Sequence, residues 1–224
     1  MFEKYTLFPT NIWKTHIDPT SFNKDEIISV MHENYNRDPY RNAWTNDGTL
    51  HHCYNDWGNP KFINPNLSQL MSIYFRIISE FVNVNLSPLL NKIPKFNYIL
   101  TNLTANKEGQ YMGEHDHLSF DEKGGCVYSA VHYIKLKPHQ PSTTFFNPVI
   151  AAQHYTTFNY GTKHFNPLTI ENSANYPTWE IPTAEDDFVI FPSYLKHKVR
   201  GNWRQKTSEE LRITSVVNIN FFDE

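Results

Sequence analysis

A chain of 224 residues is long enough for one large domain, and a net charge of −3 with no basic run argues against nucleic acid as the main partner. Its two cysteines, Cys53 and Cys126, form no Cys-x-x-Cys, which excludes a zinc ribbon and a disulfide framework. Abundant aromatics (13 Tyr, 16 Phe) and 14 Pro suit a β-rich body with many turns, and the lack of an apolar leader or membrane-length run points to a soluble, cytoplasmic protein with no membrane partner.

In chain order, residues 5–17 read as one or two strands, with Trp13, Thr15 and Ile17 on one face. Asn23 and Glu26 form a capping-box pair ahead of Ile27, Ile28, Met31 and Tyr35, predicting a helix over about 23–36. Residues 37–64 are polar, aromatic and glycine-dotted, the signature of a binding loop or lid. His51, His52 and Cys53 sit there without a strand pattern to fix them as ligands. From an Asn66 cap, Leu67, Leu70, Met71, Tyr74, Ile77, Ile78 and Phe81 make the apolar stripe of a second helix running to about 82.

Beyond Pro94 the pattern becomes strand-like to the end. A strand is expected over 95–104, a turn at 106–109, a second turn at 121–125, and a long strand over 126–137. In that strand Ser129, Val131 and Tyr133 share one face, while Tyr128, Ala130, His132 and Ile134 share the other. A short strand at 143–146 precedes an aperiodic insertion, 149–182, whose His154 and His164 read as surface residues. A buried-type strand over 187–193 ends in Pro192-Ser193, with His197 just beyond. In the last strand Arg212, Thr214, Val216 and Asn218 alternate with Leu211, Ile213, Ser215, Val217 and Ile219. Two helices ahead of a run of strands define an α+β, mainly β chain: a single domain over 1–224, with 1–94 as support and 95–224 as core.

The chemistry centres on Glu114-His115-Asp116-His117. In an extended strand His115 and His117 point the same way and can share a metal ion. A chain with 11 His carries roughly half an occurrence of His-x-His by chance, so the pair needs partners. His197 and Arg212 supply them in order. Three ligands on one face of a metal leave the other face open for a chelating co-substrate and dioxygen. A cation beyond the metal suits the far carboxylate of a 2-oxoacid, and arginine pairs bidentately with carboxylate.

These residues, together with Leu7–Trp13, Ser129–Ile134, Phe145-Phe146-Asn147-Pro148, Phe191–Val199 and Leu211–Ser215, resemble the Fe(II)/2-oxoglutarate-dependent oxygenases. The likeness is greatest to small oxygenases of the prolyl-hydroxylase-like group of bacteria and marine phages. The resemblance implies a double-stranded β-helix (a cupin-like jelly roll) with the two N-terminal helices packed on its major sheet. It implies His115, His117 and His197 as Fe(II) ligands and Arg212 as the anchor of the 2-oxoglutarate C5 carboxylate, with Thr214 and Tyr133 beside it and O2 as the oxidant. For a phage-encoded member the compartment would be the host cytoplasm.

Two features depart from the common pattern. Most of these oxygenases carry His-x-Asp or His-x-Glu; here the third residue is His117, and three neutral imidazoles offset none of the charge of Fe(II). Asp116 is the alternative ligand, though strand alternation points it away. Glu185-Asp186-Asp187 replaces a turn that relatives often make with glycine. Two other readings remain open on the residues alone: a cupin-like metalloenzyme without 2-oxoglutarate, and a non-catalytic jelly-roll virion or sugar-binding protein. Nucleophilic catalysis finds no support, since Ser193 lacks an elbow setting and Cys126 lies within a strand. A small-molecule or peptidyl prime substrate would be met by residues 38–64 and 149–182; neither its identity nor the oligomeric state follows from the sequence.

Overall fold

The computed structural model describes residues 10–39, 51–52, 62–90, 95–121, 124–148, 176–201 and 210–222. The expectations placed on residues 1–9, on Cys53 and most of the 38–64 connection, and on His154, His164 and the 149–175 part of the insertion lie outside them.

Two helices lead the chain, α1 (Lys24–Arg37) and α2 (Ser68–Glu80). The spacing of the apolar residues decides what they bury: Ile27, Met31 and Tyr35 from α1, and Leu70, Tyr74 and Ile78 from α2. The expected capping box is not formed. Asn23 leaves the helix N–H groups alone, and its Nδ2 donates instead to Glu26 Oε2 (2.7 Å) and Asn66 O (2.8 Å), stitching the start of α1 to that of α2. The N-cap of α2 is Leu67 and not the expected Asn66, which lies one residue earlier and accepts from Ser68 N through its Oδ1 at 3.1 Å. After Glu80 the coil widens into a π-helical turn, Phe81–Leu86, which apolar spacing alone does not distinguish from a continued helix.

Eleven strands are described: β1 (Trp13–His16), β2 (His51–His52), β3 (Lys95–Asn106), β4 (Met112–His115), β5 (Ser119–Asp121), β6 (Gly124–Lys135), β7 (Thr143–Phe146), β8 (Thr178–Glu180), β9 (Asp187–Pro192), β10 (His197–Val199) and β11 (Arg212–Phe222). All pairings are antiparallel, in a seven-stranded sheet ordered β1-β9-β6-β11-β3-β2, with β5 also on β6, and a four-stranded sheet ordered β4-β10-β7-β8. The long strand β6 begins two residues before its expected start because β11 runs on to Phe222 and pairs with Gly124 and Gly125. Gly124 is required there: φ is +147°, and a Cβ would fall 2.0 Å from Phe221 O.

Side-chain alternation sorts the larger sheet into two faces, as the sequence patterns of β6 and β11 predict. Ala130, Ile134, Ile213, Val217 and Ile219 pack with the helices in one core. Val131, Tyr133, Val189, Phe191 and Val216 form the other, closed by Phe145 and Leu195 from the smaller sheet's side. The layers are therefore helices, large sheet, small sheet. The helix side also buries a polar knot, in which Tyr74 Oη meets Ser215 Oγ (2.5 Å) and His132 Nδ1 (2.9 Å). Asp186 takes the left-handed conformation (φ 68°), so the backbone geometry that glycine favours is kept here by an aspartate, which pairs with Lys24 at 2.6 Å. No described helix is long and apolar enough to cross a membrane.

Candidate metal centre

The smaller sheet presents two of the three histidines, and the third follows just past one of its strands. His115 ends β4 and lies directly opposite His197 on β10, a cross-strand pair whose side chains share a face. His117 lies two residues past the end of β4, outside any strand, but its N–H donates to Ser193 O (2.9 Å) and so holds the chain there. The ring centroids are 5.2 Å apart for His115 and His117, 4.3 Å for His115 and His197, and 5.0 Å for His117 and His197. One nitrogen from each ring lies within 4.8 Å of the other two, close enough for small side-chain rotations to bring them onto one ion.

Hydrogen bonding determines which nitrogen is free. His115 Nδ1 lies 2.9 Å from Gly113 O, and His197 Nδ1 lies 2.9 Å from Leu195 O. A carbonyl oxygen only accepts, so both Nδ1 atoms carry the proton and both Nε2 atoms offer a lone pair. His117 Nδ1 meets Asn218 Oδ1 at 2.9 Å, which has the same consequence. Asp116 is exposed and turns Oδ1 onto Leu118 N (3.2 Å), outside the three-ring group.

All three rings are held neutral. Burial lowers the pKa of His115, lowers that of His117 to about 4 with added repulsion from His115, and lowers that of His197 well below the ordinary value. His132, across the sheet, is pushed down to about 3 by burial, with Lys24 adding to the shift. A histidine with a lowered folded pKa binds its proton more readily when unfolded, so stability is full above about 6.5 and falls as pH drops toward the folded values. The metal-free protein is therefore expected to lose melting temperature already between pH 6.5 and 5, above the carboxylate range. A melting temperature flat over that interval, read by thermal denaturation, would contradict neutral buried rings.

On β11, facing the smaller sheet, Arg212 is 2% exposed. Its Nε donates to Pro141 O (2.9 Å), its guanidinium carbon lies 5.3 Å from the Tyr133 ring centroid, and one terminal nitrogen has no hydrogen-bond partner among the described residues. No carboxylate among the described residues pairs with it. Burial lowers its pKa, and Tyr133 opposes the shift. An enclosed cation with a spare N–H is a built receptor for an anion. Tyr133 Oη is already engaged, donating to Thr143 Oγ1 (2.7 Å) and accepting from Thr143 N (3.1 Å), and Thr214 Oγ1 meets Thr104 Oγ1 at 2.6 Å. Phe145 and Phe191 line the space beside His197, at ring distances of 6.0 and 4.9 Å.

The sequence reading passed over a polar row on β3. Asn102, Thr104 and Asn106 lie opposite Val216, Thr214 and Arg212, all buried, and Asn102 Oδ1 and Asn106 Oδ1 have no partner among the described residues. Three polar residues at every second position of a strand flanked by apolar Leu103 and Ala105 are a signal that alternation could have supplied.

The model of a family described as "Putative 2OG-Fe(II) oxygenase" matches residues 103–218, just over half the chain, a stretch that contains all three histidines and Arg212. No curated protein matches the chain in sequence. In fold it is similar to a prolyl-4-hydroxylase of Pseudomonas putida (12% identity, 96% of this chain and 94% of that one, TM-score 0.52). It is also similar to the viral collagen prolyl hydroxylase vCPH of Paramecium Bursaria Chlorella virus-1, solved as a 2OG complex (13%, 94% and 96%, TM-score 0.53). A third is the non-heme alpha-ketoglutarate-dependent carbocyclase SnoK of nogalamycin biosynthesis (12%, 95% and 80%, TM-score 0.53).

Proposed function

Because this chain belongs to the 2OG-Fe(II) oxygenase family, oxidoreductases that use Fe(II), 2-oxoglutarate and O2, we propose that it hydroxylates an organic prime substrate and releases succinate and CO2. The observation that carries the reading is the pairing of three neutral imidazoles, each with a free Nε2, with a buried guanidinium that no described acid neutralises. In this reading His115, His117 and His197 hold the iron. Bound iron supplies the activation of dioxygen, coupled to oxidative decarboxylation of 2-oxoglutarate.

The chain's own residues do the rest. Arg212 clamps the far carboxylate of 2-oxoglutarate, and the Tyr133 ring and Pro141 O hold the guanidinium in place for it. Thr214 and Tyr133 shape the wall beside that carboxylate through their hydroxyl pairs. Phe145, Phe191, Val131 and Val216 exclude water between the two ends, which strengthens every charge interaction there. The oxygens of Asn102 and Asn106, without a partner among the described residues, are acceptors for donors on the bound molecules or for water. We read the two facing sheets as a double-stranded β-helix over a single 1–224 domain. The prime substrate in this reading is small or peptidyl, with neither nucleic acid nor membrane as partner, in the cytoplasm.

The test is succinate release across substrate classes, with Fe(II) and 2-oxoglutarate supplied and an Arg212→Met control. Release that needs both additions and falls to background in the control supports the reading. Failure of the iron-loaded protein to develop the visible charge-transfer band with 2-oxoglutarate in the absence of oxygen would end it.

A further inference from the structure

Resting on that reading, we infer that Asn218 is a positioning residue for the third ligand, and that a line of buried hydroxyls orients its amide. Two of the three ligand rings bond to backbone carbonyls, Gly113 O and Leu195 O, which no substitution at those positions removes. His117 alone has its Nδ1–H held by a side chain, Asn218 Oδ1 at 2.9 Å. The basicity and aim of the ring that stands where relatives often carry a carboxylate are thus set by one replaceable group.

The amide is itself held. Asn218 lies opposite Ser129 in the β11–β6 ladder, and Ser129 Oγ donates to Asn218 Oδ1 at 3.2 Å. With its one proton used there, Ser129 must accept from Ser193 Oγ, 2.9 Å away. Ser193 Oγ in turn lies 3.0 Å from Cys126 Sγ, which also reaches Tyr128 O at 3.5 Å. The protons therefore run one way, from Ser193 through Ser129 to Asn218 Oδ1, where His117 Nδ1–H joins from the other side. Two donors on one oxygen keep that oxygen, and not the amide nitrogen, facing His117. Ser193 also accepts the backbone N–H of His117, so one residue secures the ligand at its main chain and, through the relay, at its ring. Ser129 and Ser193 are both buried, which protects the relay from exchange with water. The same strand, β11, carries Arg212 and Asn218 on one face; co-substrate clamp and ligand support are parts of a single rigid element.

The experiment titrates Co(II) into the full-length metal-free protein, comparing the parent with Asn218→Leu, Asn218→Asp and Ser129→Ala. Asn218→Leu should weaken Co(II) about 10- to 100-fold, and Ser129→Ala by a smaller factor. Asn218→Asp, which can only accept, should restore parental or tighter binding and lower the Fe(III)/Fe(II) potential, because a carboxylate makes the ring a stronger donor. Parental affinity in Asn218→Leu, or equal loss in the Leu and Asp variants at parental melting temperature, would overturn the inference and leave Asn218 a packing residue. Should the Leu variant not fold, Ser129→Ala decides: no change in affinity overturns the relay. A parent protein that takes up no Co(II) at one equivalent would instead overturn the oxygenase reading beneath it.

Discussion

A His197→Ala protein is expected to fold and to hold no stoichiometric Fe(II). His197 is 3% exposed and sits between Phe145 and Phe191, with its Nδ1 spent on Leu195 O, so its Nε2 is its one free function. The structural cost is a small cavity and one unpaired carbonyl, on the order of 1–3 kcal/mol. The cost in metal is far larger. Two imidazoles from one short segment, His115 and His117, no longer enclose an ion from both sides, and affinity should fall at least about 10³-fold, roughly 4 kcal/mol. Elemental analysis after reconstitution checks it, with circular dichroism to establish the fold. His16→Ala, on the outer strand β1, should keep its full equivalent of metal. One equivalent of iron retained by His197→Ala would remove that ring from the ligand set.

Arg212→Met should separate the two halves of the site. Metal uptake stays near parental because the guanidinium bonds none of the three rings, while 2-oxoglutarate affinity falls about 10²- to 10³-fold, the usual effect of removing one member of a buried charge pair. Arg212→Lys should recover only part of this, since an ammonium cannot make the paired contacts of the planar fork. Stability supplies an independent reading. A fully enclosed cation with no acid partner among the described residues is costly, so the Met variant should melt no lower than the parent in the absence of ligand. Adding 2-oxoglutarate with metal should raise the parent's melting temperature by mass action, and that of the variant hardly at all. Loss of metal along with 2-oxoglutarate would count against the role given to Arg212.

Much of this centre is legible in the sequence. Alternation in β11 put Arg212 and Thr214 on the face opposite Ile213 and Val217, and alternation in β6 put Tyr133 opposite Ile134; the two cores divide along those lines. Hidden from the sequence was whatever depends on register between distant strands. The pairing of His197 with His115 and of Asn218 with Ser129 are properties of ladders. The capping box failed for a related reason, because a distant carbonyl, Asn66 O, and Glu26 together claimed the Asn23 amide. The polar row Asn102, Thr104 and Asn106 was present in the pattern of β3, but its meaning depends on Arg212 lying across from Asn106.

By itself the sequence determined the order of helices and strands, which side of each long strand is apolar, and the succession of a His-x-His pair, a lone His and an Arg along the strand-rich half. These are local properties, set by side-chain period and chemical type, and they hold however the strands are arranged. Tertiary structure alone decided that the three rings converge with Nε2 free, that the guanidinium is sealed with no acid among the described residues beside it, and that an amide and two hydroxyls stand behind His117. Each of those depends on hydrogen bonds or burial between residues far apart in the chain, and no local pattern encodes such distances.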